Sequence, residues 1–527
     1  CVHFSTFSLK NNILFVEESQ TEKDNVKKKH TLLQFTSIFT TCLSLFLFSC
    51  KQVQPSFSPE AKVNPWIDDY APLSAMEHYK EWGTYNVHDP AIKKFGDDYY
   101  IYSTDAIFAE NQERAREMNV PLGNIQIRKS KDLVHWEFVG WAFPGIPKEA
   151  VDWVHTHNEG RGATNIWAPY VMKQGDRYRL YYSVSAFGKK TSWIGLAESA
   201  SPEGPWEQKG TVVKSNSLTP VNAIDPSVIE DPDNGRIWMH YGSYFGGLYC
   251  VELDPATGLT MKRDDLGHLI ARRANYRKDN LEAPEIIYNP DLKKYFLFVS
   301  YDPLMTTYNV RVGRSDKPEG PFYDYFGKNM NDTLNNFPII TAPYRFDNHP
   351  GWAGTGHCGI LATEEGRYYM AHQGRLSPGN HLMVLHLREL FFTPDGWPVV
   401  SPQRYAGDAE RVVSTQDVAG EWELIRIRES TYDRQLAAGQ ILWGEGSLKE
   451  EEWNNSFHLN LNADGTTGDN GSWTFAKKNQ TLSLSLGRDT IRNLFIFTGQ
   501  DWENQKHTLL FTGLDDEGRS VWGKRIK

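Results

Sequence analysis

Asp89-Pro90-Ala91-Ile92, a turn at Gly96-Asp97-Asp98 and then Tyr99-Tyr100-Ile101-Tyr102-Ser103 form a module that recurs along the chain. Ala168-Pro169-Tyr170-Val171 leads through Gly175-Asp176 to Tyr178-Arg179-Leu180-Tyr181-Tyr182-Ser183, and Asp225-Pro226-Ser227-Val228-Ile229 leads through Asp233-Asn234-Gly235 to Ile237-Trp238-Met239-His240-Tyr241. A fourth copy joins Ala283-Pro284-Glu285-Ile286-Ile287 to Tyr295-Phe296-Leu297-Phe298-Val299-Ser300. A fifth joins Gly356-His357-Cys358-Gly359-Ile360-Leu361 to Tyr368-Tyr369-Met370-Ala371-His372. Short β-branched and aromatic runs bounded by Gly, Asp and Asn read as hairpins. Outer-strand material with its own recurring turn follows, as Ser201-Pro202-Glu203-Gly204-Pro205-Trp206 and Lys317-Pro318-Glu319-Gly320-Pro321-Phe322. Units of about four strands, repeated in this way, predict an all-β chain whose main body is a five-bladed β-propeller. A two-sheet sandwich is the alternative, and the regular recurrence argues against it.

The first strand of each propeller blade lies innermost, so the residues that open the copies are expected to meet on the axis. They are Asp89, Trp167, Asp225, Glu282 and His357. An Asp before Pro is by itself an ordinary turn choice. Three carboxylates gathered on one axis are another matter, because they raise one another's pKa. A purely structural channel avoids that cost, whereas acid/base catalysis uses it.

The 527 residues exceed one ordinary domain, so a second, smaller domain is expected. Aromatic residues make up 13% of the chain, which suits both a β-rich fold and sugar binding. The net charge of -10 is spread without a basic stripe, and this excludes nucleic acid as a partner. Residues 1–26 carry no coherent pattern and read as a mis-assigned start. Lys27-Lys28-Lys29, an apolar run over 31–48 and Leu47-Phe48-Ser49-Cys50 then have the order of a lipoprotein signal peptide over 27–49. An uncleaved membrane anchor is the alternative. On the signal reading Cys50 bears lipid, 50–65 is a tether, and the protein is an exported bacterial lipoprotein of the periplasm or cell surface. Cys250 and Cys358 lack metal-ligand spacing and read as buried free thiols.

In combination these residues resemble glycoside hydrolase family 43, and within it the endo-α-1,5-L-arabinanases, over roughly residues 82–408. The resemblance rests on His88-Asp89-Pro90, Asn165-Ile166-Trp167-Ala168-Pro169, Ile224-Asp225-Pro226-Ser227, Tyr241-Gly242-Ser243-Tyr244-Phe245-Gly246-Gly247, Leu281-Glu282-Ala283-Pro284 and Gly354-Thr355-Gly356-His357. It implies that Asp89 is the general base, Glu282 the general acid, and Asp225 the residue that tunes and orients the acid. It also implies sugar contacts from His88, Trp167, Asn165 and Ser243. The family counterpart of His357 meets a metal ion, often calcium, held largely by water, and no organic cofactor is implied. Tyr170 departs from the family's usual Asp after Trp-Ala-Pro and puts subsite detail in question.

The implied activity is hydrolysis of α-1,5-L-arabinan with inversion, by a monomer. Such chemistry needs a protonated acid at the leaving oxygen and an ionised base that activates water. Insertions at 107–123 and 147–162 are expected to border the cleft. Closing one end of it would favour the alternative, an exo-acting α-L-arabinofuranosidase or β-xylosidase. A non-catalytic surface glycan-binding protein is the reading from another class, and the presence of all three carboxylates argues against it. The propeller is placed at 66–410. Past it, at 411–527, pieces such as Gly420-Glu421-Trp422-Glu423-Leu424 and Ser520-Val521-Trp522-Gly523-Lys524 resemble the small C-terminal β-barrel or sandwich domain appended to some arabinanases.

Overall fold

The computed structural model describes residues 68–105, 109–121, 123–273, 280–332, 335–378, 383–407, 412–430, 448–468 and 470–527. The signal peptide, the lipid attachment at Cys50 and the tether expected from the sequence lie outside them, as does the boundary placed at 410–411. The first copy forms a four-stranded antiparallel sheet of His88–Phe95, Asp98–Thr104, Ile125–Ser130 and Glu137–Trp141, paired in chain order. The second copy does the same with Ile166–Gln174, Arg177–Ser185, Ser192–Ser199 and Glu207–Ser215. The third uses Ser227–Glu230, Ile237–Ser243, Gly247–Leu253 and His268–Ala271, and the fourth Leu281–Asn289, Lys294–Tyr301, Asn309–Ser315 and Ile339–Thr341.

These sheets are buried on both faces, and the alternation of side chains distributes each strand between two neighbours. Tyr100 and Tyr102 pack with Val171, Leu180 and Tyr182 of the second sheet. The intervening Ile101 packs instead with Leu361, Tyr369 and Ala371 of the fifth copy. Tyr181 and Ile194 meet Val228 and Met239 of the third sheet, and Trp238 and Cys250 meet Leu297 and Val299 of the fourth. Phe296, Phe298 and Val312 meet Ile360, Met370 and Val384 of the fifth copy. Faces covered in this way explain why the strands read as near-continuous apolar runs rather than as a strict apolar/polar alternation. The result is an all-β fold with a β-propeller body.

Five equivalent blades are not what the sheets present. Cys358–Ala362, Tyr368–Leu376, Met383–Phe392 and Pro398–Val400 of the fifth copy belong to a seven-stranded sheet that also holds Trp352–Ala353, Tyr344–Arg345 and Asn454–Asn455. The cause lies in the length of Tyr368–Leu376. Its residues 368–372 pair with 362–358, while Arg375 and Leu376 extend past that partner and pair with Ala353 and Trp352. The C-terminal part is a second seven-stranded antiparallel sheet, running from Phe457–Leu461 to Ser472–Ala476 through Gly420–Arg426, Ser520–Arg525, Lys506–Leu514, Asp489–Asp501 and Thr481–Leu486. It has half-barrel form: among the described residues its two end strands do not pair directly, but residues 466–467 bridge Ser472 on one and Leu461 on the other.

The two insertions contain helices α1 (Ala109–Glu117) and α2 (Lys148–His157). α2 lays Ala150 and Val154 on the apolar cluster shared by the first and second sheets. Cys250 and Cys358 are buried and free.

Candidate active site

The inner strands of the first, second and fourth sheets share a local irregularity. Pairing skips from His88 to Ala91, from Trp167 to Tyr170 and from Glu282 to Glu285. The residue before proline is left-handed each time, with φ of 48° at Asp89, 41° at Ala168 and 58° at Ala283. Asp225, before Pro226, has φ of 59°. A pre-proline residue ordinarily stays extended, and a left-handed non-glycine costs about 1–2 kcal/mol. The bulge that results re-aims the side chains beside it, as bulges next to active sites do. It also sharpens the sequence reading, because Asp89 and Asp225 occupy the pre-proline position itself, whereas Trp167 and Glu282 stand one residue earlier.

The N–H of each of these pre-proline residues donates to an acceptor on the adjoining unit. Asp89 N–H donates to Gln373 Oε1 at 2.9 Å, Ala168 N–H to Thr104 Oγ1 at 2.8 Å, and Asp225 N–H to Ser183 Oγ at 3.1 Å. Ala283 N–H donates to Asp225 Oδ2 at 3.1 Å. The carboxylate of Asp225 is thereby fastened to the backbone next to Glu282.

Asp89, Asp225 and Glu282 all line one cleft of about 520 Å³, together with His88, Asn165, Trp167, Ser243 and His357. Every site residue expected from the sequence is therefore brought to one place. Among the described residues α1 and α2 do not themselves line the cleft, but the insertion ends at Gly123 and Gly162 abut its wall residues Asn165 and Ala186.

The two principal carboxyls are treated in opposite ways. Burial works to raise Asp89, but the His88 ring at 3.1 Å, the His357 Nδ1 at 3.3 Å and the Thr104 hydroxyl donating at 2.7 Å hold it well below the ordinary carboxylate range. Glu282 is pushed up by burial, opposed by hydroxyl donors from Ser243 and Tyr308 at 2.8 Å each, and pushed further by Asp89. Asp225 is raised well above its usual value by burial, with Glu282 and Asp89 adding to it against the pull of His357. Burial therefore favours the protonated form at Asp225 as well as at Glu282. His357 is opposed by burial, yet Asp89, Asp225 and Glu282 raise it to about 9.

Ser243 lines the cleft and donates its hydroxyl to Glu282 Oε2 at 2.8 Å. Trp167 stands edge-on to Phe187, with ring centres 6.2 Å apart, and both line the cleft. Tyr170 does not line the cleft. It lies buried under the Lys93 ammonium, 3.9 Å from the ring centre, beside the Lys93–Glu285 pair. Thr104, Tyr308 and Arg375 escaped the sequence reading. The Arg375 guanidinium lies 3.3 Å from His88 Nε2, and His88 Nδ1 faces Asp89 at 3.1 Å.

The described side chains of the cleft do not by themselves make a calcium cage. Among the described residues no group of three or more His, Cys, Asp or Glu has ligand geometry, and His357 turns Nδ1 to Asp89. Calcium takes six to eight oxygen ligands.

Residues 83–398 match the family described as glycosyl hydrolases family 43, and residues 402–523 match a C-terminal lipocalin-like domain of that family. The extracellular endo-α-(1→5)-L-arabinanase of Thermotoga petrophila is 30% identical over 489 residues, spanning 84% of this chain and 94% of that protein. The extracellular endo-α-(1→5)-L-arabinanase 2 of Bacillus subtilis is 27% identical, spanning 84% and 93%. The crystal structure of the Thermotoga petrophila endo-1,5-α-L-arabinanase superposes with a TM-score of 0.67 at 27% identity, covering 84% of this chain and 99% of that one.

Proposed function

The chain belongs to glycoside hydrolase family 43, and from that premise we propose that it cleaves α-1,5-linked L-arabinofuranosyl chains internally, with inversion. The observation that carries the reading is the opposite treatment of two carboxyls on one cleft, with Glu282 favoured as the acid and Asp89 as the base. Environments that push two titratable groups apart assign the acid and the base.

In the reaction Glu282 gives its proton to the glycosidic oxygen as the bond from that oxygen to the anomeric carbon breaks. Water attacks the anomeric carbon from the opposite face and passes a proton to Asp89. The departing chain leaves with a new hydroxyl, and the attacked sugar keeps the water oxygen with inverted configuration. Proton exchange with solvent restores both carboxyls. Asp225 holds the backbone beside the acid through Ala283.

Glu282→Gln is expected to lower the rate on linear arabinan about 10²–10⁴-fold, the usual worth of a positioned acid. An unchanged rate would remove the assignment. Product sizes test the internal cut, since mixed oligosaccharides are expected from the start of digestion and arabinose alone points to exo attack. NMR of the first-formed anomer tests inversion.

Three finer statements are also proposed. The propeller ring counts five units, a reading supported by Gln373 receiving Asp89 N–H and by Glu285 Oε1 receiving Ile360 N–H at 3.1 Å, so that the fifth copy joins both the first and the fourth; a crystal structure tests it. Export with a lipid on Cys50 is tested by mass spectrometry of the mature N-terminus. Calcium remains a proposal only as a water-coordinated ion near His357, tested by metal analysis before and after EDTA, and no step above depends on it.

A further inference from the structure

Glu282 is gripped on both oxygens, and one grip comes from outside every repeated motif. Tyr308 lies in the turn between Lys294–Tyr301 and Asn309–Ser315, is 1% exposed, and donates its hydroxyl to Glu282 Oε1 at 2.8 Å. The ring has little freedom. A methyl group added at Gly356 would lie 2.9 Å from it, and the Tyr308 carbonyl accepts both the Thr355 N–H at 3.1 Å and the Thr355 hydroxyl at 3.2 Å. Burial, then Glu282 and Asp225, push the phenol's own ionisation well above its ordinary range, so Tyr308 keeps its proton to donate. The other groups facing Glu282 are Ser243 and Tyr244 from the third sheet, Asp225, Asp89 and His357, with Arg375 acting on Tyr308 itself.

Resting on the reading of Glu282 as the acid, we propose that Tyr308 is a positioning residue whose hydroxyl stabilises Glu282 as its carboxylate forms, while the proton moves to the glycosidic oxygen. A hydrogen bond to a neutral carboxyl is weak, and the same bond to the carboxylate is about twice as strong. The gain therefore appears in the transition state and not on binding, which places it in kcat rather than KM. It also scales with how far the leaving oxygen needs a proton.

Tyr308→Phe keeps the ring and deletes the donor. On an unactivated arabino-oligosaccharide, kcat is expected to fall about 10- to 100-fold with KM within about twofold, the worth of one hydrogen bond to a charged acceptor. On a 2,4-dinitrophenyl arabino-oligosaccharide, whose leaving group needs no proton, the loss shrinks below about threefold. The alkaline limb of the rate profile moves to higher pH, because a donor that lowered the acid's pKa has gone. If the variant does not accumulate in folded form, 3-fluorotyrosine at position 308 preserves the shape and strengthens the donor, and the limb moves down instead. An equal loss on both substrates with an unmoved limb overturns the proposal. Glu282→Gln assayed alongside separates the two ideas. Retained arabinan cleavage by that variant removes the underlying reading, whereas its inactivity beside a Tyr308→Phe enzyme of normal rate removes only the role of Tyr308.

Discussion

His357 sits 3.3 Å from Asp89 Oδ1, and its proton is held up to about 9 although burial alone would lower that value. The charge on this ring is one of the reasons Asp89 stays ionised. His357→Gln removes that charge, so the pKa of Asp89 rises and the acid limb of kcat/KM moves to higher pH; an unmoved limb separates the two residues. The same ring links stability to pH. Its folded value of about 9 exceeds the ordinary 6.5, so the stabilisation is fully present below about 6.5 and is lost as pH rises through about 9. Urea melts of the native protein and His357→Gln should therefore differ most near pH 6 and converge by about pH 10. Constant separation across that range would contradict the linkage.

At the scale of the element, the pre-proline bulge is the device that turns a repeat into a site. Ala168 and Ala283 hold left-handed φ with fully buried methyl groups. Glycine there relieves about 1 kcal/mol of strain and gives up about 0.8 kcal/mol of methyl burial, so Ala168→Gly and Ala283→Gly are expected within about 0.5 kcal/mol of neutral. Ala283→Val, which is β-branched at a positive φ, should cost about 2 kcal/mol or more in the same denaturant melts. Equal costs for Gly and Val would mean that the bulge carries no strain. This device was only half legible in the sequence. The Asp-Pro and Ala-Pro dipeptides announce a strand entry, but nothing local states that the residue before proline turns left-handed. Asp89, Asp225 and Glu282 were readable because each belongs to a recurring motif. Thr104, Gln373, Tyr308 and Arg375 were not, because they sit on second strands or in turns, and ring closure brings Gln373 and Arg375 to their partners from 284 and 287 residues away. The merged fifth sheet was hidden for the same reason, since Asn454 pairs with Tyr344 only once the C-terminal part has docked.

For the whole molecule, that docking makes the C-terminal sheet part of the enzyme's body. Ile425 and Trp522 share one apolar cluster with Tyr344, Trp352 and Val400. Thr512 donates to the Val400 carbonyl at 2.7 Å, and Trp502 Nε1 donates to the Arg404 carbonyl at 2.8 Å. Beneath this contact Lys524 is wholly buried, with its ammonium 3.2 Å from Glu423, 3.1 Å from Asp501 and 2.8 Å from Glu503, and Gln403 donates to Glu503 at 2.6 Å. Three carboxylates can remain there only while the ammonium offsets them. Lys524→Met strands their charge, and breaking a buried ionic cluster from one side costs about 3–5 kcal/mol. Because the apolar cluster is continuous across the contact, calorimetry should record one cooperative transition that falls as a unit in the variant. Two transitions with only one displaced would show the parts to be independent. None of these residues lines the cleft, so kcat on arabinan at temperatures where Lys524→Met is still folded should match the native value, and adding Asp501→Asn should return part of the lost stability by removing one stranded charge.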